Sequence, residues 1–181
     1  MSKALEGLRV LDLTRVLAGP YATMLLGDMG ADIIKIEAVG HGDDSRQFGP
    51  YVNGESAYFM SINRNKKSIT MNLKNPEAIE TFKEMVKKAD VVVENFRPGT
   101  MEKLGIGYEA LKEINPSIIY AAASGFGHTG PYSKRAAYDA VVQAMGGIMS
   151  ITGPAGGPPV RVGSSIGDIT AGLFCAIGIL A

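Results

Sequence analysis

The chain has few of the side chains that build metal centres and histidine-based active sites. Its 181 residues include one cysteine, two histidines and no tryptophan. Because Cys175 has no second cysteine to pair with, an internal disulfide is excluded, and we predict a cytoplasmic location in a reducing compartment. His41 and His128 both lie in glycine-flanked segments, which leaves little material for a metal site or a Ser-His-Asp triad. We therefore predict that the chain binds no metal.

An excess of charge of either sign is also missing. The 18 Lys and Arg residues balance the 18 Asp and Glu residues, so the formal net charge is +0. Proteins that bind nucleic acid through its backbone usually carry a basic excess, and we therefore predict no nucleic-acid partner. Any anionic ligand must instead be bound by a local cluster of cations.

Hydrophobic runs of membrane-spanning length are absent as well. The apolar stretch at residues 169–181 is too short to cross a bilayer, which takes about 20 residues. The opening segment MSKALEGLRV lacks the apolar core of a secretion signal. We predict no membrane contact and interpret the stretch as a buried helix. With 46% apolar residues, the chain has enough material for the core of one domain.

Strand-like and helix-like segments alternate along the chain. The apolar segments LRVLDL and DIIKIE flank a helix-like segment with Pro20 at its start and Gly30 at its end. The strand-like segments KSITMNL, DVVVENF and SIIYAA follow, and we interpret the last two as buried strands. This alternation predicts an α/β fold: a Rossmann-like, mostly parallel sheet with helices on both faces.

Basic residues flank several of the predicted strands. Arg15 follows the first strand, Arg97 follows VVVEN, and Arg64, Lys66 and Lys67 come just before another strand. Such separated cations suit a ligand with several phosphates, although each one is also compatible with solvated surface charge. The chain lacks the patterns GxGxxG and GxxxxGK[ST], which argues against an ordinary dinucleotide or a P-loop nucleotide.

One carboxylate, Asp168, stands between a glycine-rich turn and the apolar stretch at 169–181. Aspartate is a favoured helix N-cap, and this residue is in place to be one. The same position suits a nucleophile, because a carboxylate is ionised at neutral pH and needs no histidine base. Backbone amides between Gly163 and Gly167 are candidates to stabilise an oxyanion. The residues alone leave both roles open.

Four stretches of the chain carry a family resemblance. They are LEGLRVLDLTRVLAGPYATMLLGDMGADIIKIE, SINRNKKSITMNLK, ADVVVENFRPGTMEKLGIGYEALKEINPSIIYAAASGFG and SIGDITAGLFCAIGILA. In order and spacing they resemble the class III coenzyme A transferases, the formyl-CoA and carnitine-CoA transferase family, from Leu5 to Ala181. Family chains are more than twice as long, so residues 1–181 are expected to be the amino-terminal CoA-binding α/β domain of such a protein.

The resemblance implies a role for particular residues. The catalytic aspartate of the family falls on Asp168. The candidate CoA-binding positions are Arg15, Val16, Leu17, Ala18, Met71, Lys74, Asn95, Phe96, Lys103 and Tyr138. The expected partners are an acyl-CoA and a small carboxylic acid, with a homodimer for the full-length protein. Some members have a glutamine where Leu17 stands and a lysine where Ala136 stands, and these departures bear on which acid is used.

The resemblance also implies a ping-pong mechanism. The Asp168 carboxylate attacks the donor thioester to give a mixed anhydride, and the CoA thiolate then forms an aspartyl-CoA thioester. The first alternative is the α-methylacyl-CoA racemase reaction of the same superfamily, which uses a histidine within AYDAVVQ. Tyr138 stands at that position, and tyrosine is a poor base near neutral pH. The second alternative is a CoA-binding fragment without turnover.

Overall fold

The computed structural model describes residues 3–181. Its strands are β1 (Arg9–Asp12), β2 (Asp32–Glu37), β3 (Tyr51–Val52), β4 (Glu55–Ser56), β5 (Lys66–Thr70), β6 (Val91–Glu94) and β7 (Ile119–Ala122). Its α-helices are α1 (Ala18–Asp28), α2 (Ala57–Asn63), α3 (Pro76–Val86), α4 (Thr100–Lys103), α5 (Tyr108–Ile114), α6 (Asp139–Met145) and α7 (Ile166–Leu180). Two short 3₁₀ helices cover Asp44–Gln47 and Ile148–Ile151.

Five strands form one fully parallel sheet in the order β5-β2-β1-β6-β7, and β3 and β4 form a small antiparallel hairpin. The chain builds outward from β1 through β2 to β5 and then returns to the other side of β1 with β6 and β7. The strand order therefore reverses between β1 and β6, where the carboxyl ends of parallel strands leave a crevice that commonly binds ligands. The predicted Rossmann-like α/β fold class is confirmed.

Helices cover both faces of the sheet because its central strands are apolar on both sides. On one face Leu11 of β1 packs with residues of α3 and α5, including Phe82 and Leu111. On the other face Val10 of β1 packs with residues of α1 and α7, including Leu26. Since side chains alternate along a strand, adjacent residues of β1 supply the two halves of the core.

Helices α1 and α7 approach each other closely at Gly172. A Cβ at this position would lie 2.5 Å from the carbonyl oxygen of Ala18, so only glycine lets the two backbones pass at this distance. The start of α1 follows the first strand, and Asp168 lies one turn before Gly172. The contact therefore brings Asp168 next to the loop that follows β1.

The segment SIIYAA differs from the prediction of a buried strand. Strand β7 lies at the edge of the sheet, and Ile119 is 41% exposed. Its apolar composition resembles that of the central strand β6, whose four residues are all buried. Composition alone does not reveal whether a neighbouring strand covers the second edge.

The basic cluster before β5 also differs from the prediction that it binds phosphates. Lys66 is buried, and its ammonium group donates to the carboxylate of Asp12 at 3.0 Å. Arg64 pairs with Asp28, and Lys67 pairs with Asp32. Because these residues precede or begin β5, they lie at the amino end of the strand, away from the crevice.

Asp12, at the carboxyl end of β1, is fully buried and collects four hydrogen bonds. The backbone and hydroxyl of Thr14, the hydroxyl of Thr23 and the ammonium of Lys66 donate to it. Burial by itself raises the pKa of this carboxyl, but the charges of Lys66 and Lys35 and the threonine hydrogen bonds more than offset it and lower the pKa to about 2. Asp12 therefore stays ionised under ordinary conditions.

Among residues 3–181, no helix combines the length and the apolar character needed to cross a bilayer.

We predict that Asp12→Asn lowers the free energy of unfolding at pH 7 by roughly 3 kcal/mol, because Lys66 then stays buried without its counter-ion. The pKa of Asp12 in the folded protein is about 2, below its ordinary value of 3.8. Its stabilising contribution is therefore complete above about pH 4 and is lost as the pH falls toward 2. Urea unfolding at several pH values should show the difference between variant and parent shrinking over that interval.

The matched control is Asp32→Asn, which removes a partner of the exposed Lys67. Such a pair contributes little, and this variant should lose less than about 1 kcal/mol. Equal losses in the two variants would contradict the importance assigned to the buried pair.

Candidate active site

Two adjoining cavities open at the carboxyl ends of the strands. The first, called here the Asp168 cavity, has a volume of about 640 Å³ and is lined by residues that follow β1, β6 and β7 and by the start of α7. The second, called the Lys74 cavity, has a volume of about 620 Å³ and is lined by residues that follow β1, β2 and β5. Arg15 and Phe96 line both cavities. A single elongated ligand can therefore extend from one to the other.

Most of the candidate site residues line one of the two cavities. The Asp168 cavity includes Arg15, Ala18, Asn95, Phe96, Tyr138 and Asp168. The Lys74 cavity includes Met71 and Lys74.

Three candidates line neither cavity. Val16 and Leu17 connect Arg15 to Ala18 in the loop after β1, and Lys103 is the last residue of α4. Thr100 and Leu104, on either side of that position, do line the Lys74 cavity, so Lys103 lies near its edge.

Asp168 is not the N-cap of α7, and that interpretation is wrong. The helix begins at Ile166 with Ser165 as its N-cap, which places Asp168 third within the helix. The carboxylate of Asp139, at the start of α6, accepts the backbone N–H of Gly167 at 2.8 Å instead. A side chain from another helix thus satisfies a free amide at the start of α7, and the Gly167 amide is not available to an oxyanion.

The Asp139 carboxylate belongs to a small network that ties α6 to the segment before α7. Gln143, which is 2% exposed, donates to Asp139 at 2.6 Å and accepts the backbone N–H of Val162 at 2.8 Å. Sequence reasoning missed both residues. Their spacing of four within AYDAVVQ, which places two polar side chains together on one helix face, was the available signal.

The carboxylate of Asp168 is half-buried and faces the cavity. Within residues 3–181 no hydrogen bond or ion pair to this carboxylate is found. Burial raises the pKa of Asp168, and the negative charge of Asp139 raises it further. Both effects favour the protonated form of this carboxyl.

Tyr58 of α2 is a second residue near Asp168 that sequence reasoning missed. Burial raises the pKa of the Tyr58 hydroxyl, and the negative charges of Asp168 and Asp43 add to this effect. No local pattern marks Tyr58, because α2 is separated from α7 by about a hundred residues of chain. Because its pKa is raised, the Tyr58 phenol stays neutral at pH 7.

The loop after β1 is held by the side chain of Asn95 and contains a backbone conformation that is unusual for its residue type. The side-chain amide of Asn95 accepts the backbone N–H of Arg15 at 2.9 Å and donates to the Arg15 carbonyl at 2.8 Å. Val16 has a φ of +68°, in the left-handed region that a β-branched residue rarely adopts. Such a conformation costs on the order of 1–3 kcal/mol and persists only where the surrounding structure enforces it.

Several cations near the cavities have no acidic partner within residues 3–181. Arg97 and Arg135 line the Asp168 cavity, and Lys74 lines the Lys74 cavity. The guanidinium of Arg135 lies 4.2 Å from the centroid of the Tyr132 ring. Arg15, by contrast, pairs with the exposed Asp44 at 3.3 Å. The Asp168 cavity is thus suited to bind anions, whereas the Lys74 cavity is also lined by Glu37, Asp43 and Asp44, each paired with a cation.

The single cysteine, the two histidines and Tyr138 have the following surroundings. Cys175 is half-buried against the core, and burial together with the charge of Asp12 raises the pKa of its thiol to about 11, which makes it a poor nucleophile. His41 lines the Lys74 cavity. His128 lies 3.8 Å from the buried carboxylate of Glu94. Tyr138 is 71% exposed at the mouth of the Asp168 cavity.

Comparison with known proteins identifies close relatives of the chain. It is 54% identical over 180 residues to the succinyl-CoA:glutarate CoA-transferase of Mus musculus, an alignment that covers 99% of this chain and 41% of the relative. It is 55% identical over 175 residues to the acetyl-CoA:oxalate CoA-transferase of Acetobacter aceti, covering 96% of this chain and 45% of the relative. The chain therefore spans less than half the length of these relatives.

Comparison of the fold with solved structures points to the same group of proteins. The crystal structure of a CAIB/BAIF family protein from Brucella suis superposes with a TM-score of 0.94 at 46% identity, covering 99% of this chain and 49% of the other. The sequence pattern of CoA-transferase family III matches residues 5–181. The chain, with Asp168 lining one of two neighbouring cavities at the point where the order of a parallel sheet reverses, belongs to CoA-transferase family III.

Proposed function

We propose that the protein transfers coenzyme A from an acyl-CoA thioester to a carboxylic acid through a covalent intermediate on Asp168. The observation that carries this proposal is that the Asp168 carboxylate lines a cavity without a hydrogen-bond donor in the described residues. Its pKa is also raised. A carboxylate of raised pKa that is not bound by hydrogen bonds is a better nucleophile than an ordinary aspartate.

In this proposal the nucleotide end of CoA occupies the Lys74 cavity. Its phosphates lie near Lys74 and Lys103, cations without acidic partners in the described part of the chain. The pantetheine arm passes Arg15 and Phe96, which line both cavities, and the thioester then reaches Asp168. The shared lining of the two cavities at Arg15 and Phe96 supports this arrangement.

The proposed reaction is the ping-pong exchange that the family resemblance implies. An oxygen of Asp168 attacks the thioester carbonyl, the C–S bond breaks, and a mixed anhydride and CoA thiolate result. The thiolate attacks the aspartyl carbonyl, which releases the donor acid as a carboxylate and leaves an aspartyl-CoA thioester. An incoming carboxylate reverses the two steps and leaves as the new acyl-CoA. Covalent intermediates divide one difficult exchange into easier steps, and burial protects them from water.

We also propose that the acceptor acid is dicarboxylic. Relatives are named for the acceptors glutarate, oxalate and mesaconate, all of which carry two carboxyl groups, while their named donors include both succinyl-CoA and acetyl-CoA. Arg97 and Arg135 line the Asp168 cavity without an acidic partner in the described residues, so either is able to bind the carboxylate that does not react.

The remaining expectations from the resemblance stay predictions. They are that residues 1–181 form the amino-terminal CoA-binding part of a longer protein, that this protein is a homodimer, and that it is cytoplasmic.

Asp168→Asn should abolish CoA exchange, with a loss of at least about a thousandfold, because the amide is not a nucleophile. Folding and CoA binding should be retained, since asparagine has the same size and the native carboxylate makes no hydrogen bond within residues 3–181. Exchange is measured between an acyl-CoA and a dicarboxylic acid on the protein as its gene encodes it. Hydroxylamine added during turnover should modify Asp168 in the parent only.

The matched control is Asp28→Asn, an exposed carboxylate paired with Arg64 far from the cavity, which should retain full exchange. Exchange that survives in Asp168→Asn would refute the proposed nucleophile. Incorporation of deuterium next to the thioester without exchange would favour the racemase reaction.

The rate of exchange should depend on pH through Asp168. Because its pKa is raised, the carboxylate is protonated, and activity is lost, at a higher pH than for an ordinary aspartate. Asp139→Asn removes the negative charge that raises this pKa while keeping an oxygen that accepts the Gly167 amide. The acid limb of the profile should therefore move to lower pH in this variant. An unchanged or higher midpoint would show that Asp139 does not act on Asp168 through its charge.

Binding of CoA should weaken steeply with salt, because exposed charge pairs are screened over about 8 Å at physiological ionic strength. Lys74→Ala and Lys103→Ala should each weaken CoA binding by roughly fivefold, the effect of losing about 1 kcal/mol. Lys67→Ala is the control: this lysine is also exposed but lies at the opposite end of the sheet, paired with Asp32. Calorimetric titration that finds all three variants equal, or no effect of salt, would contradict the placement of the phosphates.

A further inference from the structure

Val16 has a backbone conformation that its own side chain opposes. The other non-glycine residues with positive φ are Asn53 and Asn65, and asparagine tolerates this region. Valine does not, because its branched Cβ crowds the backbone there. The φ of +68° at Val16 must therefore be imposed by contacts with the rest of the protein.

The contact on one side is the carboxylate of Asp43. Its Oδ1 accepts the backbone N–H of Val16 at 3.1 Å and the backbone and hydroxyl of Ser45 at 2.9 and 2.7 Å. Its Oδ2 lies 2.9 Å from the ammonium of Lys35, and both side chains are only 1% exposed. Lys35 in turn donates to the carbonyl of Thr14 at 2.8 Å. The pair thus fixes the loop both before and at Val16.

The contact on the other side is Asn95, which binds both backbone groups of Arg15. The peptide bond between Arg15 and Val16 is thereby held on both sides: Asn95, just after β6, binds its carbonyl, and Asp43, in the loop after β2, accepts its N–H. The sharp turn at Val16 allows Arg15 to line both cavities while Ala18, two residues later, lines the Asp168 cavity.

We propose that Asp43 and Lys35 are positioning residues for the acyl-CoA: they enforce the left-handed turn at Val16 and so form the wall where the two cavities meet. This inference rests on the proposed function. Asp43 acts through the Val16 backbone: its side chain is only 1% exposed although the residue borders the Lys74 cavity, its Oδ1 accepts the Val16 N–H, and its Oδ2 is held in the ion pair with Lys35. A relaxed Val16 turns the loop away, and the wall on which CoA lies is lost.

The first experiment compares Val16→Pro with Val16→Gly in the protein as its gene encodes it. Proline cannot adopt a positive φ and has no N–H for Asp43, so the KM for acyl-CoA and the Kd for CoA should rise about tenfold or more. Glycine adopts this φ freely and keeps the N–H, so both constants should rise several-fold less than in Val16→Pro, by no more than the loss of the valine side chain explains. Both variants keep the ion pair between Asp43 and Lys35, although proline removes one hydrogen bond to Asp43 Oδ1, and thermal unfolding checks that both variants are folded.

The second experiment tests whether Asp43 acts through Val16. Asp43→Ala should raise the KM for acyl-CoA about tenfold and leave the KM for the acceptor acid unchanged, whereas simple destabilisation lowers the amount of active protein and hence kcat. Adding Val16→Gly to Asp43→Ala should restore most of the affinity, because glycine needs nothing to hold it in the turn. The matched control, Val16→Ala with Asp43→Ala, keeps a Cβ and should not restore it.

The outcomes separate the two proposals. If the parent protein does not bind CoA, the proposed function fails. If the parent binds CoA but Val16→Pro binds it equally well, the positioning role alone is wrong. If glycine and alanine restore Asp43→Ala equally, or neither does, Asp43 does not act through the Val16 turn. Should Asp43→Ala fail to fold, the comparison of Val16→Pro with Val16→Gly decides the question by itself.

Discussion

Two ion pairs enclosed at the carboxyl ends of β1 and β2 determine the shape of the site. Lys66 neutralises Asp12, and Lys35 neutralises Asp43, all with side chains that are about 1% exposed or less. A charge in such surroundings is tolerated only if it keeps its partner and its hydrogen bonds. The geometry around these four groups is therefore closely defined. The loop after β1 hydrogen-bonds to Asp12, Asp43 and Lys35, so its conformation is closely defined as well.

The general architecture was predictable because it depends on local composition. Central strands of a parallel sheet are apolar on both faces, and the run VVV in β6 is typical of such a strand. The edge strand β7 was misjudged because exposure of an edge depends on which segment pairs there. The basic cluster before β5 was misjudged for a similar reason: Lys66 and Asp12 are 54 positions apart, and nothing near either residue reveals the pairing.

The candidate site also combines features that the sequence predicts with features that it does not. Asp168 stood out because a lone acid in glycine-rich and apolar surroundings is unusual in any sequence. The place of Asp168 within α7 could not be predicted in the same way, because the carboxylate that accepts a free amide at the start of α7 belongs to Asp139 on a different helix. The turn at Val16 left no trace at all, because valine is the wrong residue for it and only the tertiary structure makes it possible. Sequence reasoning thus singled out Asp168 as a candidate and missed the contacts that surround it.

The hydrogen bond that Asp139 provides has a consequence for when Asp168 differs from an ordinary aspartate. Because burial and the negative charge of Asp139 on α6 together raise the pKa of Asp168, α6 and α7 must be packed together before that shift is complete. In a partly folded chain the same carboxyl is well hydrated and has the ordinary pKa of an aspartate. The distinctive protonation of Asp168 is thus a property of the finished tertiary structure.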